Sequence, residues 1–378
     1  MLTPTKTDLI FFDAGGGHRS AAEALRLVME QAGGWQVRLV NLQEIFDPID
    51  IVRSLVGVRI QDVYNLILKK GWTFGAAQTL KVLQAVIRLF HGREVQLLQS
   101  FWAASTPDLV VSLVPHFNRA LFDGLRQTGS QVPFATILTD FADYPPHFWI
   151  EPQEQYFICG SDRAVQQARE TGIPADRVFQ ASGMILHPRF YEPIVCERSA
   201  ERQKLGLDPD LPTGLVLFGG QGSTAMLDIV RRLDATTLEL QLILICGKNE
   251  QLAKALRARR GRLRTYVEGF TREIPRYMHL SDFFIGKPGP GSVAEAIAMH
   301  LPVIVERTVS TLPQERYNAE WVLEKQVGLV VRGPREIPQA VQRLLGPGSL
   351  ASYRARAAAL RNRAVYEIPE ILRKIAGE

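Results

Sequence analysis

The sequence predicts an α/β protein built as two successive open parallel sheets, and three observations carry that prediction. The first is size: 378 residues exceed what a single hydrophobic core usually serves, so two halves with separate cores are expected. The second is rhythm, because short apolar runs of strand length alternate with helical stretches over residues 8–181 and again over 214–331. The third is a glycine-rich loop between a strand and a helix, at Gly15-Gly16-Gly17, at Gly219-Gly220-Gln221-Gly222-Ser223 and at Lys287-Pro288-Gly289-Pro290-Gly291.

In the first half, residues 8–13 (DLIFFD) read as a strand, Gly15 to Gly17 as a turn, 20–31 as a helix stopped by Gly33-Gly34, and 36–42 as a second strand. Ser20 and Glu23 fit a capping box, in which side chains satisfy the free N–H groups of a helix start. Further strands are expected at 109–114, 134–139, 156–159 and 178–181. Residues 51–102 break the rhythm: they are rich in Leu, Val and Ile, and Lys69, Lys70, Lys81, Arg88 and Arg93 punctuate them. Within 79–90, Lys81, Gln84 and Arg88 share one helical face, which fits either a pair of core helices or a helix lying in a lipid interface.

Residues 188–193, with 198–204 after them, read as a linker. A second series then starts with a strand at 214–218, its glycine loop and a helix to Leu233, followed by strands at 240–246, 265–267, 283–285, 303–305 and 329–331. Residues 350–374 are helical, basic and alanine-rich. No sequence repeat relates the halves. The expected divisions are 1–190, 191–349 and 350–378.

Hydrophobic residues make up 46% and charged residues 22% of the chain, the profile of a globular protein and not of a disordered one. Cys159, Cys196 and Cys246 are widely spaced without a C-x-x-C pair, which points to reduced thiols in a cytosolic protein and to no metal framework. No apolar run is long enough to span a bilayer, and a strand and glycine turn stand where a signal peptide would, so neither secretion nor a membrane span is expected. The net charge of +5 and pI near 9.1 permit phosphate-rich partners, whether nucleotide, anionic lipid or nucleic acid, without choosing among them. No nucleic-acid motif is recognisable, and the basic residues are scattered except near 257–264.

The most informative stretch for chemistry is 281–300. A buried strand, a glycine loop and a helix expected to open at Ser292, with Glu295 completing a second capping box, aim backbone N–H groups and the positive end of a helix dipole at one point. Such a junction favours a phosphate.

In order along nearly the whole chain run Asp13-Ala14-Gly15-Gly16-Gly17-His18-Arg19-Ser20, Thr139-Asp140 with His147 and Trp149, Phe218-Gly219-Gly220-Gln221-Gly222, and Ile245-Cys246-Gly247-Lys248-Asn249. Gly269-Phe270-Thr271, Lys287-Pro288-Gly289-Pro290-Gly291-Ser292-Val293-Ala294-Glu295-Ala296, Pro313-Gln314-Glu315 and Asn318 complete the series. With these motifs the chain resembles glycosyltransferase family 28, the family of the monogalactosyldiacylglycerol synthases and processive diacylglycerol glucosyltransferases. That resemblance implies a GT-B fold: two Rossmann-like domains facing across a cleft, with the last helix crossing back to the first domain. Residues 1–190 would bind the acceptor and associate with a membrane, 191–349 would bind the nucleotide sugar, and 350–378 would pack back on the first domain.

The resemblance also implies roles. Phe270 and Thr271 would sit at the uracil, Glu295 at the ribose hydroxyls, and the loops carrying Gly220, Gly222 and Ser223 and Gly289, Gly291 and Ser292 would cradle the diphosphate. Gln314 and Glu315 would contact the donor sugar, and Gly16, Gly17, Asp140, His147 and Trp149 would border the acceptor. No metal or other cofactor is required beyond the UDP-sugar itself, and the sequence shows no clustered carboxylates to hold a metal. His18 is the catalytic candidate, because a neutral imidazole at a glycine-lined strand mouth can take a hydroxyl proton near pH 7. The alternatives for His18 are capping the helix start or binding lipid phosphate.

The implied reaction is inverting transfer of a hexose from a UDP-sugar to diacylglycerol or a related lipid, by a peripheral protein on the cytoplasmic face of a membrane that carries anionic lipid, with no nucleic-acid partner. The rival readings are a UDP-GlcNAc 2-epimerase, a UDP-GlcNAc transferase acting on another lipid-linked acceptor, and a non-catalytic nucleotide-sugar sensor or nucleic-acid-binding protein. Ala14, Gln221, the spacing of His147 after Asp140, and Thr311-Leu312 before Pro313 depart from the family pattern near the cleft. Glucose, galactose, N-acetylglucosamine and glucuronate therefore stay open as the sugar.

Overall fold

The computed structural model describes residues 3–13, 16–47, 76–308 and 311–377. Its strands are β1 (Thr5–Phe11), β2 (Trp35–Asn41), β3 (Leu109–Ser112), β4 (Phe134–Ile137), β5 (Tyr156–Cys159) and β6 (Val178–Gln180) in the first half. The second half contains β7 (Thr213–Leu217), β8 (Gln241–Ile245), β9 (Thr265–Glu268), β10 (Phe283–Gly286), β11 (Val303–Glu306) and β12 (Gly328–Val331). They form two six-stranded parallel sheets, ordered β2-β1-β3-β4-β5-β6 and β12-β11-β10-β7-β8-β9.

Continuous apolar runs become the central strands because both faces of a parallel sheet are covered by helices. Leu215, Leu217 and Phe284 point into one core, while Val216, Phe283 and Ile285, their neighbours in sequence, point into the core on the opposite face. The strand order reverses between β1 and β3 in one sheet and between β7 and β10 in the other. Loops diverge at such a point and leave a crevice at the carboxyl ends of the strands, where ligands bind in open α/β sheets. The motif loops that follow β1, β7 and β10 all lie there.

The helices are α1 (Gly17–Ala32), α2 (Leu42–Phe46), α3 (Ala76–Ala104), α4 (Asn118–Arg126), α5 (Asp162–Glu170), α6 (Arg198–Lys204), α7 (Ala225–Asp234) and α8 (Glu250–Arg257). They continue with α9 (Ile274–His279), α10 (Pro290–Ala298), α11 (Arg316–Glu324), α12 (Ile337–Leu344), α13 (Ser349–Ala359) and α14 (Ala364–Ala376). Both expected capping boxes are corrected. The helix α1 is capped at Gly16 and α10 at Gly289, neither with a side-chain cap bond, so Ser20 and Ser292 already lie inside their helices. Glycine tolerates the cap geometry, and Pro290 at the first helical position has no N–H to satisfy, which moves the start of α10 upstream.

The expected linker contains a helix, α6, because Arg202 inserts against Asp282 at the foot of β10. The carboxyl-terminal helix is two helices. Asn362 breaks it: its amide nitrogen donates to the Met184 carbonyl at 2.9 Å, and its oxygen accepts from the Ala364 N–H at 3.1 Å. After that break α14 crosses to the first half, where Ala364, Ile368 and Leu372 join the core beside α1.

The halves also meet at the cleft. The rings of Phe141 and Trp321 stack 4.4 Å apart, and Lys325 pairs with Asp162 at 3.1 Å. Of the 51–102 stretch, residues 51–75 lie outside the described residues, as do the side chains of Lys81 and Gln84. The distal part of α3 is core, with Val95, Leu98 and Trp102 buried, whereas Leu89 is 79% exposed beside exposed Arg88. Cys159 and Cys246 are buried and free, which raises their thiols to about 12 and about 11.

Candidate active site

In the second half, two loops converge because glycines permit it. Gly222 has φ +63°, and a Cβ there would lie 2.5 Å from the Cys246 carbonyl oxygen. A Cβ on Gly247 would lie 2.3 Å from the Gly220 oxygen, which accepts from the Lys248 N–H at 2.9 Å. The loop after β7 is thus locked onto the loop after β8, and Ser223 Oγ accepts from the Ala225 N–H at 3.2 Å at the start of α7. The loop after β10 is held from behind by Asn318, whose amide donates to the Pro288 carbonyl at 2.8 Å. Gly291 lies in the first turn of α10, where a Cβ would meet nothing within 4 Å, and the N–H groups of that turn have no partner inside the helix.

Around these loops stand the expected donor residues. Phe270 is 60% exposed, with the Lys248 ammonium 5.5 Å from its ring, and both line a cavity of about 1010 Å³ with Gly247, Gly269, Lys254 and Arg257. Thr271 Oγ1 accepts from the Glu273 N–H at 2.9 Å and shapes the same loop. Glu295 lies on α10, where burial raises its carboxyl to about 8. Gln314 and Glu315 share a short 3₁₀ turn, Pro313–Glu315, and Lys287 pairs with Glu315 at 2.7 Å.

Opposite, at the reversal point of the first sheet, Gly16 has φ +82° and opens the helix that carries His18. Ala14 and Gly15 lie outside the described residues. His18 is half-buried. Its Nδ1 lies 3.1 Å from Thr139 Oγ1, and burial, partly offset by a hydrogen bond to the Leu113 carbonyl, lowers it to about 4. Its ring is therefore neutral at pH 7. Among the described residues no carboxylate pairs with it, since Asp13 pairs with Arg19.

Asp140 is buried beside it, and burial raises its carboxyl to about 7; the Trp149 indole N–H bond and Lys287 lower it, while Glu315 raises it. Glu315 and Lys287 belong to the second half, so charges of one half bear on a carboxyl of the other. Trp149, expected against the acceptor, is fully buried: its indole N–H donates to Asp140 Oδ2 at 3.0 Å and its ring sits 5.8 Å from His18. It supports the site from behind. His147 is exposed with φ +63°, its N–H donating to Asp143 Oδ2 at 3.1 Å.

Sequence reasoning left Thr139, Asp143 and Lys287 without roles. Asp143 organises the 143–149 loop by also accepting the Trp149 N–H at 2.6 Å. Nothing in its local pattern marks it, because its partners are backbone groups brought round by a turn. Thr139 and Lys287, by contrast, stand inside the family motifs. Among the described residues no three His, Cys, Asp or Glu side chains converge as metal ligands.

Two Rossmann-like domains with opposed strand-end crevices, each lined by a glycine loop, define a GT-B protein. Two family profiles match in tandem: monogalactosyldiacylglycerol synthase over residues 18–183 and the glycosyltransferase family 28 carboxyl-terminal domain over 214–363. The chain belongs to glycosyltransferase family 28, with a first half of the monogalactosyldiacylglycerol synthase type.

It is 28% identical over 365 residues to monogalactosyldiacylglycerol synthase 1 of Arabidopsis thaliana, covering 92% of this chain and 66% of that protein. It is also 28% identical to the enzyme of Spinacia oleracea, covering 91% and 67%. The chain thus spans about two thirds of the length of these relatives. Among solved structures it resembles S. aureus MnaA with UDP at TM-score 0.65 and 16% identity, covering 99% of this chain and 97% of that one. MurG of Acinetobacter baumannii matches at 0.60 and 14%, covering 98% and 99%. At these identities the structural matches speak for the fold.

Proposed function

We propose that the protein moves a hexose from a UDP-sugar to the hydroxyl of diacylglycerol or a related lipid, with inversion and without a metal ion. One observation carries this reading: glycine loops follow β7 and β10 at the reversal point of one sheet, and a neutral histidine follows the glycine turn at the reversal point of the other. The names of the curated relatives support the choice of diacylglycerol. In this reading Phe270 and Thr271 hold the uracil, Glu295 the ribose, and the loops carrying Gly220, Gly222, Ser223, Gly289, Gly291 and Ser292 the diphosphate. Gln314 and Glu315 hold the sugar, while Gly16, Gly17, Asp140 and His147 border the acceptor. The hydroxyl oxygen attacks the anomeric carbon, His18 takes its proton, and the bond to UDP breaks with its electron pair on the diphosphate.

The acceptor implies work at a membrane surface. Among the described residues no helix is long and apolar enough to cross a membrane. Exposed Leu89 beside Arg88 on α3, with the net charge of +5, suits peripheral binding to an anionic, cytoplasmic-face surface.

The test supplies radiolabelled UDP-galactose, UDP-glucose, UDP-N-acetylglucosamine and UDP-glucuronate with diacylglycerol in mixed micelles. A lipid-soluble labelled product is expected with at least one donor. A labelled product that stays in water would favour the epimerase reading, and no product with any donor overturns the proposal.

A pH effect follows from Glu295. An ionised carboxylate is the stronger acceptor for two ribose hydroxyls, so binding favours the form that dominates above about 8. Affinity for UDP, measured by calorimetry, should rise as the pH increases through 7–8.5 and then level off, and Glu295→Gln should weaken binding and flatten this rise.

A further inference from the structure

Resting on the donor-site reading above, the geometry points to Lys287 as a catalytic residue that carries the charge of the departing diphosphate. Three placements converge on it. Its chain leaves β10 at the reversal point of the second sheet, and it passes between the two glycine loops: a Cβ on Gly219 would lie 3.6 Å from Lys287 Cε, and one on Gly289 would lie 3.4 Å from it. Its ammonium ends on Glu315 at 2.7 Å, on the 3₁₀ turn of the proposed sugar contacts, and its charge helps lower the Asp140 carboxyl on the acceptor side.

Departure of UDP leaves the electron pair of the broken bond on a diphosphate oxygen. Loop N–H groups and the dipole of α10 supply partial charges there, and Lys287 supplies a full one. The Lys287 side chain is 37% exposed and that of Glu315 only 11%, so the ammonium also compensates a nearly buried carboxylate, a role that does not require its stem to lie against both glycine loops. In the resting protein the ammonium is held on Glu315. When the donor binds, it turns to the diphosphate and frees Glu315 for the sugar hydroxyls. No proton changes hands: Lys287 donates hydrogen bonds, and the acceptor proton leaves through His18.

The test compares UDP with uridine, which lacks the phosphates, on the full-length wild type, Lys287→Met, Lys287→Arg and Glu315→Gln. In Lys287→Met, UDP affinity should fall about 10–100-fold with uridine affinity unchanged, and kcat should fall at least as far; Lys287→Arg should recover part of both. Glu315→Gln breaks the same ion pair but should keep the preference for UDP over uridine. An unchanged preference in Lys287→Met, or equal losses for UDP and uridine, overturns the assignment. Failure of the wild type to bind UDP would instead overturn the donor-site reading itself. Matching melting temperatures separate either result from misfolding.

Discussion

Replacing His18 with alanine is expected to lower kcat by about 10²- to 10⁴-fold, the range that loss of a positioned general base produces, while UDP binding stays within about twofold of wild type. The imidazole stands on α1 in the first half, whereas the proposed nucleotide contacts all belong to the second half, so its loss removes chemistry and leaves the donor site whole. Burial lowers His18 to about 4, below the ordinary 6.5. Its neutral, proton-accepting form therefore persists down to about pH 4, and the kcat/KM profile should show no acid limb near 6.5 that disappears in His18→Gln. The same shift bears on stability. Between about 4 and 6.5 the unfolded chain binds the proton that the folded site excludes, so His18 favours unfolding progressively as the pH falls through that window. Wild-type turnover after His18→Ala, measured with the lipid assay, would remove His18 from the mechanism.

The second large effect is structural. Asp282, at the foot of β10, accepts from Arg198 on one oxygen and from Arg202 and the Thr213 N–H on the other, each at 2.8 Å, with Arg354 at 3.4 Å. It ties the inter-half helix α6, the helix α13 and the sheet together. Arg202 is only 5% exposed in its side chain, so Asp282→Ala leaves a buried guanidinium with its charge uncompensated. Such a change costs about 3–5 kcal/mol, and a fall of roughly 10 °C in melting temperature is expected by calorimetry. Burial alone would raise the Asp282 carboxyl, but Arg198, the Thr213 N–H and Arg202 together hold it below the ordinary carboxylate value. Its contribution is full above the unfolded-state pKa and fades as the pH falls through the depressed folded value, so the mutant's deficit should shrink in acid. A melting temperature within a degree or two of wild type at neutral pH would show that the cluster does not brace the junction.

Much of the site was legible because its chemistry depends on backbone shape. Gly222 and Gly247 occupy positions where a Cβ would strike a neighbouring carbonyl, and a loop that needs glycine shows it in sequence. The capping boxes misled because Ser20-x-x-Glu23 and Ser292-x-x-Glu295 satisfy a local pattern, while the true starts at Gly17 and Pro290 answer to the turn before them. Trp149 was legible as a site residue but not as a buried one, since its bond to Asp140 depends on how the loop folds back. The linker reading missed α6 because the partner of Arg202 lies eighty residues further along the chain.

By itself, then, the sequence determined two parallel sheets, the loops at their strand ends and the histidine that follows the first loop, since apolar periodicity and glycine placement are local and steric. Only the tertiary structure decided that Lys287 and Glu315 pair, that Asp140 stands in their field, and that Asn362 divides the last helical stretch in two. Those facts depend on distances between groups far apart in the chain, which packing fixes and no local pattern records.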